Sequence, residues 1–189
     1  MAYFPMMADL NGKNVLVIGG GDEGAGKIHI LHSFGAVITL VAINACKEAV
    51  TECDEYLEEP FSDAHMDRKE YVMVVASTDD RSLNRRISDL AKERKIPVNI
   101  VDDTELCTFI FPAIYREGDV VCAVSSGGKS PYITQFIRDL IRDALPDDIG
   151  AINDKMGQLR QTAKERFPDV SDRRIFLKEK LSEMIGKLE

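Results

Sequence analysis

Residues 14–27 read Asn14-Val15-Leu16-Val17-Ile18-Gly19-Gly20-Gly21-Asp22-Glu23-Gly24-Ala25-Gly26-Lys27, and they settle the fold class. Asn14 to Ile18 is a short, apolar, β-branched run suited to a buried strand. Three glycines follow at once. Ala25 to Phe34 then carries Ile28, Ile30, Leu31 and Phe34 at mostly helical spacing, until Gly35 stops the pattern. Strand, glycine turn and helix form the context in which Gly19, Gly21 and Gly24, spaced as Gly-x-Gly-x-x-Gly, become informative. In that context Gly19 permits the tight turn and Gly21 lets backbone approach a pyrophosphate. The helix N-terminus offers unpaired N–H groups and a partial positive charge. The residues therefore imply a dinucleotide site at Gly19-Gly20-Gly21. Asp22 and Glu23 would repel a phosphate, so this reading requires their side chains to point away while their backbone contacts the cofactor.

Beyond this stretch, Val37 to Ala42 reads as the second strand of a right-handed βαβ unit. Tyr71 to Ser77 is a strand covered on both faces, Ser82 to Arg94 a helix, and Pro97 to Val101 a further strand, whereas residues 45–65 show no clear period. This alternation predicts an α/β, Rossmann-type, doubly wound parallel sheet. Past residue 108 the style changes. Phe109 to Ile114 and Asp119 to Ser125 read as two strands joined by a turn at Arg116-Glu117-Gly118. Ser130-Pro131 then opens a helix striped by Ile133, Phe136, Ile137, Leu140 and Ile141 and ended by Pro146. Two more amphipathic helices are expected at residues 148–166 and 172–188. The predicted organisation is an NAD(P)-binding domain over 1–112, a small α+β dimerisation region over 113–146, and a C-terminal helical region over 147–189. The apolar faces of the middle region exceed its own capacity for burial, so a homodimer is expected.

Composition narrows the function classes. A chain of 189 residues, 44% hydrophobic, holds one medium domain and a smaller appendage. A net charge of -8 argues against a nucleic-acid partner, which needs clustered cations. The apolar runs fall far short of the roughly 20 residues that span a bilayer, and no secretory leader is expected at the N-terminus, so the cytoplasm is the expected compartment. Cys46, Cys53, Cys107 and Cys122 show neither disulfide nor zinc spacing and read as buried thiols. His29 and His32 lie three apart on the first helix with no carboxylate at matching spacing, which suits surface or packing roles.

Further site candidates sit where the strands end. The second strand closes on Val41-Ala42-Ile43-Asn44, with no carboxylate for the ribose. Asn44 can bond a ribose hydroxyl without repelling a 2′-phosphate, so NAD and NADP both stay open. Ser77-Thr78-Asp79-Asp80 and Asn99-Ile100-Val101-Asp102 follow two other strands, at the carboxyl ends where open α/β sheets bind ligands. Asp102 is the leading acid/base candidate, because a crevice partly desolvates a carboxylate and raises its pKa toward a useful range; the alternative is an Asp that merely caps a loop, and Asp103 is adjacent. Ser125-Ser126-Gly127-Gly128-Lys129-Ser130-Pro131 is a second small-residue loop entering a helix, either an anion cradle or a plain connector.

Taken in order, Val17-Ile18-Gly19-Gly20-Gly21-Asp22 with Lys27, Ala76-Ser77-Thr78-Asp79-Asp80 with Asn84, Asn99-Ile100-Val101-Asp102, Phe109-Ile110-Phe111-Pro112 and Ala123-Val124-Ser125-Ser126-Gly127-Gly128 with Ser130-Pro131 closely resemble the siroheme synthase family, in its stand-alone form. The resemblance runs from about residue 8 to the C-terminal helices. It implies a dimeric oxidoreductase of porphyrin and siroheme biosynthesis, a precorrin-2 dehydrogenase that uses NAD to make sirohydrochlorin. In bifunctional members it also implies ferrochelatase (lyase) activity, with Fe2+ or Co2+ as a passing substrate near the aspartate. By the match, Asp102 takes the place of the essential aspartate, and Ser126 with Gly127, Gly128 and Lys129 that of the substrate loop. Asp22-Glu23 and Ile43-Asn44 take the cofactor contacts, and Thr78 and Asp79 are further cofactor candidates by their place after a strand. Lys129, Arg138 and Arg116 are candidates for the substrate carboxylates. The chain departs from the family where Val-Ala and an Arg usually precede Lys27. Here Gly24 and Gly26 are expected to loosen the first helical turn by roughly 1 kcal/mol each. Two rivals remain at this point, a non-catalytic NAD(P)-binding Rossmann sensor and a relative that is only a chelatase.

Overall fold

A computed structural model describes residues 3–186. The chain divides into two compact units, Met1–Phe111 and Pro112–Glu189. Residue 147, where a third region is expected to begin, lies inside the second.

The first unit is built on five parallel strands, β1 (Asn14–Gly20), β2 (Val37–Ala45), β3 (Glu55–Leu57), β4 (Tyr71–Ala76) and β5 (Val98–Ile100), in the order β3-β2-β1-β4-β5. Helices α1 (Asp22–Ser33), α2 (Lys47–Glu52) and α3 (Arg81–Glu93) flank it. Side chains alternate along β1. Val15 and Val17 pack with Ile28 and Leu31 of α1, and Leu16 and Ile18 pack with Ile87 and Ala91 of α3. Both faces are covered, which is why β1 reads as a continuous apolar run rather than an alternating one. Strand order reverses between β1 and β4, so a crevice opens outside their carboxyl ends.

Several boundaries differ from the sequence-based expectation. Helix α1 begins at Asp22 rather than Ala25, so Asp22 and Glu23 occupy its first turn, where acids complement the helix dipole. Strand β2 runs on to Ala45, because Gly20 pairs with Ala45 and the Cys46 N–H donates to the Gly20 carbonyl at 2.8 Å. The unclear stretch holds α2, β3 and a 3-10 turn at Asp63–Asp67, each too short to show a period. Of the four cysteines only Cys107 is buried; the others are half-exposed. Glu52 of α2 supplies the carboxylate that spacing along α1 did not show, at 3.0 Å from His29 Nδ1.

In the second unit β6 (Ala113–Glu117) and β7 (Val120–Val124) form an antiparallel hairpin, followed by α4 (Pro131–Ala144), α5 (Ile149–Arg166) and α6 (Val170–Ile185). The first hairpin strand starts at Ala113, not Phe109. Residues 108–109 are instead tied back to β5, with Thr108 N–H on the Val98 carbonyl at 2.8 Å and Asn99 Nδ2 on the Phe109 carbonyl at 3.1 Å. The turn is also tighter than expected, since Glu117 pairs with Val120 and Gly118 takes φ +57°. Helix α4 starts as anticipated on Ser130 and Pro131, yet none of its residues is buried; Tyr132 is 81% and Phe136 62% exposed. Among the described residues no helix is long and apolar enough to cross a membrane.

Candidate functional site

The glycine turn is shaped by two close approaches and one opening. Gly19 has φ +101°, and a Cβ there would lie 2.4 Å from the Ser77 carbonyl oxygen. A Cβ on Gly24 would lie 2.3 Å from the Gly19 carbonyl oxygen and 2.8 Å from Ser77 Oγ. At Gly21 a Cβ would meet nothing within 4 Å. Gly19 and Gly24 thus let strand and helix touch, whereas Gly21 leaves room beside the backbone. Gly24 does not loosen the helix as expected; it is buried and demanded by packing, and only Gly26 has the open surroundings of a helix-weakening glycine. Ser77 Oγ donates to the Gly19 carbonyl at 3.1 Å, which fastens the turn to the end of β4.

A cavity of about 920 Å³ lies over this turn, within the first unit. It is lined by Gly19, Gly20, Gly21, Asp22 and Glu23, by Ile43 and Asn44 at the end of β2, by Thr78 and Asp79 after β4, and by Asp102 after β5. Every candidate named in the first unit therefore meets at one place. The N-cap of α1 is Gly21, with no side-chain hydrogen bond, so the first-turn N–H groups keep the unpaired character that suits a phosphate. A dinucleotide fits on three counts: room at Gly21, an uncapped helix start, and a volume inside the usual range of roughly 300–1,000 Å³ for such sites.

The loops around the cavity are held from behind. Thr78 Oγ1 donates to Asn84 Oδ1 at 2.7 Å, and Asn84 Nδ2 donates back to the Thr78 carbonyl at 2.8 Å. Asp80 caps α3, accepting from the backbone N–H groups of Ser82 at 2.8 Å and Leu83 at 3.1 Å. The hydrogen bond from the Ser82 hydroxyl, then those from the two backbone N–H groups, hold the Asp80 carboxyl below the usual carboxylate range. Asp80 is thus a structural cap, while Asp79 is exposed. Asp102 has φ +60°, a left-handed conformation that favours glycine. Its loop is closed by Cys107, whose sulfur accepts from the Ile100 N–H at 3.1 Å, and by Ser88 Oγ donating to the Leu106 carbonyl at 2.6 Å. Contrary to expectation, the first unit does not desolvate Asp102, which is exposed. Asp103 is instead the residue near a cation, 3.9 Å from Arg81.

The second small-residue loop is built differently. Ser126 Oγ accepts from the Ser130 N–H at 2.9 Å and donates to the Ser130 carbonyl at 3.0 Å. Ser125 Oγ accepts from the Gly127 N–H at 3.1 Å, and Ser130 Oγ caps α4 on the Ile133 N–H at 3.3 Å. Gly127 and Gly128 take φ +68° and +80°, and Lys129 is exposed. Arg138 is engaged with Asp139 at 2.8 Å, and Arg116 Nε donates to the Gly118 carbonyl at 3.0 Å.

Sequence reasoning missed one wall of the cavity, formed by Glu59, Pro60 and Phe61. No local pattern marks these residues; they reach the site because β3 lies at the sheet edge beside β2. The lining is strongly acidic, with Arg81 the only basic residue in it among those described.

Fold and cavity together define a dinucleotide-binding protein of the Rossmann class. The chain belongs to the family described as "Putative NAD(P)-binding", matched over residues 6–113. It is 37% identical to the siroheme synthase of Ruthia magnifica subsp. Calyptogena magnifica over 99% of this chain and 40% of that protein. The siroheme synthase of Nitrosospira multiformis is 38% identical over 93% of this chain and 39% of that protein. The chain thus spans about 40% of the length of these relatives. Among solved structures, "SirC, precorrin-2 dehydrogenase" matches with a TM-score of 0.68 and 23% identity, over 94% of this chain and 88% of that one. That likeness carries the fold across both units.

Proposed function

We propose that the protein is a precorrin-2 dehydrogenase, oxidising precorrin-2 to sirohydrochlorin with NAD in siroheme synthesis. The observation that carries this reading is that one cavity joins the uncapped glycine turn to Asp102. Gly19, Gly20 and Gly21 with the first turn of α1 hold the pyrophosphate, and Ile43 and Asn44 lie beside the ribose. Bound NAD supplies a hydride acceptor. The substrate loses a hydride and a proton in this oxidation, and the Asp102 carboxylate is the group that takes the proton. A placed general base contributes typically about 10² to 10⁴-fold. The exposure of Asp102 leaves it accessible to a large substrate. The test is anaerobic incubation of the protein with precorrin-2 and NAD. Sirohydrochlorin should appear in its absorbance together with one NADH per turnover; no conversion would refute the assignment. Insertion of Fe2+ into sirohydrochlorin, which the resemblance implies for bifunctional members, is tested in the same preparation without NAD.

The substrate loop is Ser126, Gly127, Gly128 and Lys129, in which Lys129 faces solvent as a cation for a tetrapyrrole carboxylate. The exposed α4 stripe of Tyr132, Ile133, Phe136, Ile137 and Leu140 is the surface we assign to a second copy of the chain, because an apolar stripe of this size is costly to leave in water. Light scattering should give twice the chain mass; a monomer at micromolar concentration would exclude this role.

A further inference from the structure

We propose that Glu59, braced by His65, binds the adenosine ribose hydroxyls and sets the preference for NAD over NADP. The inference rests on the cofactor reading above and goes beyond it, because the end of β2 lacks the acidic residue that usually holds this ribose.

Three observations point to Glu59. First, it lines the same cavity as the glycine turn and the end of β2. It stands just past β3, which pairs with β2 on the side away from β1, and in folds of this class the β1-α1-β2 side takes the adenosine half. Second, its orientation is imposed. His65 is 6% exposed, and its Nδ1 accepts the Ser62 N–H at 2.9 Å in a capping box at the start of the 3-10 turn. Nε2 lies 2.8 Å from Glu59 Oε1, and in the tautomer that leaves Nδ1 to accept the Ser62 N–H it is Nε2 that donates to this carboxylate. His65 also packs against Phe61, the rings tilted by 38° with centroids 5.8 Å apart, so one buried side chain contacts both an acid and an aromatic of the same wall. His65 is a positioning residue.

Third, the charge is of the right sign. Glu59 engages His65 through one oxygen, and the second is the acceptor we assign to the ribose. Two vicinal hydroxyls can donate to a carboxylate, whereas a 2′-phosphate offers no such donor and adds like charge. The nearby carboxylates Asp22 and Glu23 act in the same direction, and the basic lining residue Arg81 belongs to α3 beyond β4 rather than to the β2 side.

The experiment is titration calorimetry of NAD, NADP and ADP-ribose against the full chain, its E59Q variant and its H65F variant. The Glu59 side chain is 55% exposed, so E59Q should keep the wild-type melting temperature. The wild type should bind NAD at least about tenfold more tightly than NADP, the scale of losing one charge-assisted bond and adding one like-charge repulsion. E59Q should weaken NAD and ADP-ribose alike by about 3- to 10-fold and tighten NADP, collapsing the ratio at least about fivefold. H65F should move the ratio the same way by a smaller factor. An NAD/NADP ratio unchanged within about twofold in E59Q, or a loss for NAD without one for ADP-ribose, overturns the assignment. If NAD binds as described but precorrin-2 is not oxidised, the dehydrogenase reading fails and this one stands. If the wild type binds neither nucleotide, both fail.

Discussion

The chain contains two glycine-rich loops that each feed a helix, and they are opposites. At Gly19-Gly20-Gly21 the helix starts on a residue without a side chain, and a Cβ at Gly21 would meet nothing. At Ser125–Pro131 three serine hydroxyls already serve the backbone, and α4 is capped by Ser130. Loops of similar composition therefore differ in what they can bind. An anion competes for N–H groups, and those of the first loop remain to be claimed while several of the second are taken. The residue at the N-cap, more than the number of glycines, decides whether a helix start is a binding site or a structural joint.

Single substitutions put this contrast at risk, and Gly19→Ala should be the most damaging of them. Its Cβ would collide with the Ser77 backbone at a positive φ, so we expect a loss of at least about 3 kcal/mol of stability, together with cofactor binding. Thermal melting with nucleotide titration checks this, and a near-normal melting curve would mean that the turn relaxes. Next in size, Asp102→Ala should lower precorrin-2 oxidation by about 10² to 10⁴-fold while NAD affinity holds. Steady-state NADH formation beside calorimetry separates the two, and turnover close to normal would remove Asp102 from the chemistry.

In the second loop Ser130→Ala should cost about 1 kcal/mol by removing the α4 cap, and should leave NAD affinity where it was. A parallel loss of NAD binding would show that this joint serves the cofactor after all. Gly26→Ala is the gentlest. Its helical position has open surroundings, so the substitution should stabilise the first unit by up to about 1 kcal/mol, raising its melting temperature without touching affinity. Gly24→Ala, two residues away, should do the reverse because its Cβ meets backbone.

Much of the first unit was legible locally. The β1 run, the glycine spacing and the α1 stripe sit within one stretch of chain, and both strand faces are apolar because helices cover both. Asn44, Thr78, Asp79 and Asp102 were found by one topological rule, that ligands bind beyond the carboxyl ends of parallel strands. What escaped was set by contacts distant in sequence. Gly24 looked like a weakness until the Gly19 carbonyl and Ser77 were seen against it. Phe109 looked like the start of a strand until Asn99 was found holding its carbonyl.

Local sequence was thus enough for an alternating α/β core, a glycine turn opening the first helix and an aspartate lining the same cavity, because side-chain period and glycine placement act within a few residues. Only the folded chain reveals that β3 flanks β2, that Glu59 and Phe61 reach the cavity behind a buried His65, and that the serine loop closes on itself. Those outcomes depend on which groups satisfy one another's hydrogen bonds in three dimensions, and short segments of irregular chain carry no period from which that pairing can be read.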